Sequence, residues 1–175
     1  QVLGAVPADN ALLREGACPG DAVYVSGPLG DAAGALAFLD GEWQPEPEAA
    51  QYLVDRFYRP RARIELGLEL LPQATAAIDI SDGLLADLGH IAAASGVGIE
   101  LESALVPVSS ELASAGDSQK ALKWALSGGD DYELAFTLPA DATAPSGCTR
   151  IGKVVAGNDV KIDTDIDFES GYQHF

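Results

Sequence analysis

The chain has 175 residues, 47% of them hydrophobic, enough for one good core and, by default, one domain. Ten basic against 27 acidic residues give a net charge of -17, which opposes broad contact with nucleic acid or an anionic membrane. An acidic protein that handles phosphates needs cations to mediate the contact, and divalent metal is the natural candidate. Cys18 and Cys148 lie far apart and form no CxxC, so neither a disulfide framework nor a zinc site is indicated and a reduced, cytoplasmic setting is expected. There is no methionine, so the chain is expected to be a piece of something longer. The start Val2-Leu3-Gly4-Ala5-Val6 is too short and lacks the basic flank of a signal peptide, and no stretch is long enough to span a membrane.

In chain order, residues 11–17 fit one helical turn or an extended arm, and Cys18-Pro19-Gly20-Asp21 reads as a turn. Arg14, within that arm, is either a solvated surface residue or a planar clamp on a phosphate. Ala22–Val25 is a strand candidate. The Ser26–Gly30 turn that follows lacks the GxGxxG and Walker lysine patterns, so it reads as a strand–helix turn before an Ala-rich helix over 31–39. Trp43 is expected to be a packing anchor. A helix over 48–58 should stop at Pro60 and resume over 62–71. Arg56, Arg59, Arg61 and Arg63 fall within eight positions, and because alternate helical residues do not share a face, a solvated or domain-facing surface is expected there.

Two acidic corners stand out. In the first, Ala76–Ile80 reads as a short buried strand that ends in Asp79, Ser81, Asp82 and Gly83, before a helix whose stripe is Leu84, Leu85, Leu88, Ile91 and Ala92. Ser81 or Asp82 can cap that helix, whereas Asp79, too costly to bury unpaired, should face outward. Further on, 97–102 alternates as a half-buried strand does, and helix signals return over 109–115 and 119–126. The second corner follows Ser127-Gly128-Gly129: Asp130 and Asp131 precede a strand over 132–138 with an apolar Tyr, Leu, Phe, Leu face. These two carboxylates are either a polar strand entry or part of a site. Residues 149–162 read as a hairpin turning at Gly157-Asn158. Asp163, Asp165 and Asp167 mimic the opening of a calcium loop, but Phe168 occupies its sixth position and no glutamate closes it. No internal repeat stands out. The fold class expected is α/β, a mixed α+β single compact domain.

Ile78-Asp79-Ile80-Ser81-Asp82-Gly83-Leu84, the segment Ala125–Leu134 containing Ser-Gly-Gly-Asp-Asp-Tyr-Glu-Leu, and the ending Gly171-Tyr172-Gln173-His174-Phe175 occur in that order. With the early Leu12–Asp21 segment and the Ser26–Gly30 turn, they resemble the C-terminal half of the thiamine-monophosphate kinases, in the aminoimidazole-ribonucleotide-synthetase-like superfamily. The resemblance implies helices layered on a mixed sheet, as in the C-terminal domain of that synthetase. It also implies an ATP- and magnesium-dependent enzyme that converts thiamine monophosphate into thiamine diphosphate. Residues 1–10 would then be a linker or the end of a missing N-terminal ATP-binding domain, and 11–175 the C-terminal domain. The missing domain would supply further acidic metal ligands and mediate a homodimer. By position, Asp79 and Asp82 match magnesium ligands, Ser81 and Arg14 match ATP contacts, and Asp130 and Tyr172 match substrate contacts. Where Asp130 stands the family pattern often has glutamate, so the charge is kept and the reach is shorter.

The residue types suit such chemistry. A phosphate acceptor is already anionic near neutral pH, so the main obstacle is repulsion between two polyanions rather than the lack of a base. Two other readings are a different synthetase or small-molecule kinase of the same superfamily, and an acidic binding or assembly module whose carboxylates only cap elements.

Overall fold

The computed structural model describes residue 6 and residues 11–114, 116–164 and 166. Among the described residues six strands form one sheet: β1 (Ala22–Val25), β2 (Ala76–Asp79), β3 (Gly98–Leu101), β4 (Leu134–Leu138), β5 (Thr149–Val155) and β6 (Val160–Ile162). Their spatial order is β2-β4-β1-β5-β3-β6, antiparallel except for the parallel pair β3–β6. Around the sheet lie α1 (Asp31–Leu39), α2 (Pro47–Tyr58), α3 (Ile64–Leu70), α4 (Leu84–Ser95), the single turn α5 (Ser110–Ala113) and α6 (Ser118–Ser127). The mixed α/β class expected from the sequence is the one found.

Period-two alternation divides the strands between two cores. Val23, Val25, Ile78 and Ala135 meet Leu84, Leu88 and Ile91 of α4 on one face. On the other face Tyr24, Ala77, Phe136 and Leu138 pack with Leu70 of α3, and Tyr24 and Phe136 stack at 5.5 Å. Each fully buried Leu or Phe contributes about 1.5–3 kcal/mol, which makes α4 the main clamp on its face. A third cluster binds α1, α2, α5 and α6 through Ala35, Leu53, Leu112 and Ala121, with Trp43 and Trp124 at its rim. Trp43 is the packing anchor expected: its Nε1 donates to the Gly34 carbonyl at 2.7 Å and its ring lies 5.3 Å from that of Trp124.

Four expectations change. Residues 149–162 are not a hairpin: β3 inserts between β5 and β6, pairing antiparallel with one and parallel with the other. Local turn chemistry at Gly157 allows the reversal, but it carries no information about a third strand arriving from elsewhere in the chain. The helix expected over 62–71 starts at Ile64, leaving Arg63 outside it at the N-cap position, where its side chain turns inward. The strand expected over 132–138 starts at Leu134, and Tyr132 is exposed rather than part of an apolar face. Residues 109–115 contain only one helical turn, capped by the Ser109 hydroxyl, which accepts from Leu112 N at 3.0 Å. The arm over 11–17 is extended, its Leu13 carbonyl accepting from Ala77 N along the edge of β2. Among the described residues no helix is long and apolar enough to cross a membrane.

Candidate active site

The strand β2 buries Ala76, Ala77 and Ile78 and leaves Asp79 exposed at its end. In the loop that follows, the N–H groups of Ser81 and Asp82 both donate to Asp87 Oδ2, at 2.9 and 3.0 Å. Asp87 is a buried residue in the first turn of α4. Burial holds its carboxyl above the ordinary aspartate value, against the opposing pull of the two backbone hydrogen bonds. Neither Ser81 nor Asp82 is therefore the N-cap that the local sequence suggests. Gly83 holds that position with φ 112° and no side-chain cap, because a Cβ there would lie 2.9 Å from the Ser127 carbonyl carbon. Asp87 reaches back and takes over the satisfaction of loop donors.

The second acidic corner packs directly onto the first. Asp130 N donates to the Ser81 carbonyl at 3.0 Å, Tyr132 N to the Ile80 carbonyl at 2.9 Å, and Ile80 N to the Glu133 carbonyl at 2.8 Å. The approach is close enough that a Cβ on Gly129 would sit 2.3 Å from the Ser81 carbonyl oxygen. Asp79, Ser81, Asp82 and Asp130 thus share one corner. Asp130 and Tyr132, with φ 63° and 51°, are the only non-glycine residues among those described whose backbone is left-handed. Such conformations cost on the order of 1 kcal/mol or more each and persist where surrounding contacts impose them.

Those contacts come from the alternate residues. Asp131 Oδ2 accepts from Gly30 N at 2.8 Å, at the N-terminus of α1, while its Oδ1 is buried without a hydrogen bond. Burial pushes the Asp131 carboxyl up to about 7, against the opposing pull of the Gly30 and Ala32 N–H groups. Glu133 is fully buried and accepts from Arg63 Nε at 2.6 Å and Arg63 Nη2 at 2.5 Å, in a fork. It also takes Arg56 Nη2 at 3.0 Å and the Ser26 hydroxyl. Burial pushes its carboxyl up, but the Arg63 and Ser26 hydrogen bonds and the Arg63 and Arg56 charges outweigh that and hold it below the ordinary glutamate value. Arg56 also pairs with Asp31 at 3.5 Å, and the Ser109 hydroxyl donates to Asp31 Oδ1 at 2.5 Å.

The arginine run is therefore not simply a solvated face: Arg59 and Arg61 are exposed, but Arg56 and Arg63 converge on one buried glutamate. The break at Pro60 re-aims Arg63, which is why helical periodicity hid the pairing. Asp31, Asp87 and Glu133 were also missed. An acid inside an otherwise apolar or Ala-rich element was the available signal for all three, since such a group is seldom buried unpaired.

Arg14 is exposed, and its carbonyl accepts from the Ser95 hydroxyl at the far end of α4. Among the described residues no ion pair of its side chain joins it to the corner. Tyr172 lies outside the described residues, as do Asp165 and Asp167. Asp163 accepts from Ser103 N at 2.6 Å. The donors gathered at the corner are carboxylate oxygens, which suit a hard cation such as magnesium better than a soft one. Asp82, Asp87 and His90 each place a ligating atom within 4.8 Å of the others. A separate cleft of about 360 Å³, lined by Val106, Leu122 and Ile166 among others, contains none of the corner's residues.

Residues 18–165 match the family model for the AIR synthase related protein, C-terminal domain. The chain is 49% identical over 137 residues to thiamine-monophosphate kinase of Escherichia coli K12, covering 78% of this chain and 42% of that one. It is 39% identical over 165 residues to thiamine-monophosphate kinase of Aquifex aeolicus, covering 93% and 54%. Among solved structures it resembles thiamine-monophosphate kinase from Stenotrophomonas maltophilia K279a, with TM-score 0.84, 41% identity, and 90% of this chain and 54% of that one covered. It likewise resembles AaThiL complexed with AMPPCP and TMP, with TM-score 0.85, 39% identity and coverage of 94% and 54%. The chain spans about half the length of the curated relatives it matches.

Proposed function

Because the chain belongs to the AIR synthase related protein family as its C-terminal domain, we propose that it is the C-terminal half of a kinase that converts thiamine monophosphate to thiamine diphosphate. The observation that carries this reading is the joining of two carboxylate-bearing loops, 79–82 and 130–132, into one exposed acidic corner. Its support is the similarity to thiamine-monophosphate kinases and to a structure complexed with AMPPCP and TMP.

In the proposed reaction an oxygen of the acceptor's phosphate forms a new bond to the γ-phosphorus of ATP. The bond from that phosphorus to the bridging oxygen breaks, and ADP leaves. The acceptor is already anionic, so no residue of this chain has to remove a proton. Asp79 and Asp82 are the residues that would hold magnesium, which when bound supplies charge neutralisation between the two polyanions. Ser81 sits between them on a loop whose N–H groups are pinned by Asp87, and it would contact ATP without that loop having to rearrange. Arg14 is assigned to ATP on its position in the family pattern. Asp130 would balance the cationic thiazolium, and Tyr172 would cover an aromatic ring or the cation. The partners in this reading are ATP, thiamine monophosphate, an N-terminal domain of the same chain and a second copy of the intact protein. The setting is the cytoplasm, with no role for nucleic acid or membrane.

Steady-state turnover of thiamine monophosphate with ATP and magnesium tests the reading. The intact protein should form thiamine diphosphate, and residues 1–175 alone should not, because further acidic ligands would lie outside them. Robust product from the isolated half overturns the half-site assignment, and failure of the intact protein to use this acceptor overturns the substrate.

A further inference from the structure

Tyr132 is the residue at the corner that the proposed function does not use. It is a large aromatic side chain, 39% exposed, on a backbone with φ 51°, a conformation that tyrosine adopts only when held. It is held from both sides. Its N–H donates to Ile80 O, and its neighbours Asp131 and Glu133 are anchored inward on the start of α1 and on Arg63, Arg56 and Ser26. Alternation along the chain then leaves Tyr132 and Asp130 directed outward together. The Tyr132 hydroxyl donates to Asp130 Oδ1 at 3.1 Å. That hydrogen bond, then the Asp130 charge and burial, and then the charges of Asp79 and Asp82, push the phenol up.

We propose that Tyr132 is a positioning residue for thiamine monophosphate: its hydroxyl fixes the Asp130 carboxylate through Oδ1 and leaves Oδ2 for the cationic group of the substrate. The inference rests on the assignment of Asp130 to the substrate. A carboxylate on an exposed, left-handed residue would otherwise sample several orientations, and ordering it would be charged against substrate binding. With the phenol bond in place that ordering is complete before the ligand arrives.

The experiment is steady-state kinetics of the intact enzyme with each substrate varied in turn, for Tyr132→Phe, Asp130→Asn and the double variant, alongside thermal melts. Tyr132→Phe keeps the ring and should raise the KM for thiamine monophosphate by roughly 3- to 10-fold, the worth of one modest hydrogen bond. The KM for ATP and the melting temperature should hardly change. Asp130→Asn should raise the same KM further, and the double variant should be no worse than Asp130→Asn alone, because the tether has no carboxylate left to orient. Wild-type kinetics for Tyr132→Phe beside an impaired Asp130→Asn overturn this inference and leave the substrate assignment standing. Full additivity in the double variant also overturns it, since Tyr132 then acts by another route. A silent Asp130→Asn removes Asp130 from the substrate site, and the present inference falls with that reading.

Discussion

Between Asp130 and Glu133 the same chemical group meets two opposite environments. Asp130 stands in water, whereas Asp131 and Glu133 are buried behind it against α1 and against two arginines. The first corner repeats the division: Asp79 is exposed at the strand end, and Asp87 is buried beneath the loop. An outward carboxylate keeps its charge available to a cation from solution. An inward one has to find donors within the protein, and in doing so it fixes the backbone that carries the outward one. The difference teaches that exposed and buried acids are interleaved at this corner, so a residue's neighbour in sequence is a poor guide to its environment.

The contrast should break most sharply at the outward pair. If Asp79 and Asp82 hold magnesium against the phosphates, Asp79→Asn or Asp82→Asn in the intact enzyme should lower kcat by about 10²-fold or more, comparable to removing one preorganised charge-stabilising group. The melting temperature should hold, since each change removes a charge and little volume. Because Gly83, not Asp82, occupies the cap position, Asn has no capping role to preserve there. Near-normal turnover for both variants at saturating magnesium would remove them from the metal site.

The inward group should give the reverse pattern. Glu133→Ala leaves Arg63 without its acceptor and Arg56 with Asp31 alone, a change that costs about 3 kcal/mol, at the low end for a broken buried pair because Arg63 can swing into water. Chemical denaturation would show it, and unchanged stability would mean that the network contributes nothing net.

Titration separates the two inward acids by sign. Asp131 binds its proton more tightly folded than unfolded, so its contribution is complete below the ordinary aspartate value and is lost as the pH rises through about 7. Glu133 is held below its ordinary value, so its contribution is present above that value and is lost as the pH falls through its lower folded one. Asp131→Asn keeps an acceptor for the start of α1 without the charge. Relative to the parent it should gain roughly 3 to 4 kcal/mol between pH 4 and pH 7.5, read as a growing difference between melting temperatures. A difference that stays flat with pH would place the Asp131 carboxyl in the ordinary range.

Tyr172→Ala is the smallest of these effects and probes the substrate side. A lost stacking or cation–π contact is worth about 0.5–2 kcal/mol, so the KM for thiamine monophosphate should rise a few-fold to about 30-fold with little change for ATP. Tyr172→Trp should be tolerated because the π face survives. Equal loss for both substrates, together with a lowered melting temperature, would make Tyr172 an anchor of the chain's end instead.

What the sequence determined by itself was whatever depends on local pattern. A short apolar run and helical spacing placed a strand over 76–80, the stripe of α4 and helices over 31–39 and 48–58, each within a residue of the element found, and the cost of burying an unpaired charge put Asp79 outside. The family resemblance gathered Asp79, Ser81, Asp82 and Asp130 in name, but nothing in their spacing said that two loops would share backbone hydrogen bonds. Only the tertiary structure decided that β3 would separate β5 from β6, that Arg56 and Arg63 would meet across a proline break, and that Glu133 would be their common partner. The physical reason is the same each time. A pairing between distant segments is set by which surfaces remain unburied once the local elements have formed, and local periodicity contains no term for that. Tyr132 shows it most plainly: its place in the sequence reads as the first residue of an apolar strand, and it is the buried anchoring of the residues on either side that turns it out toward Asp130.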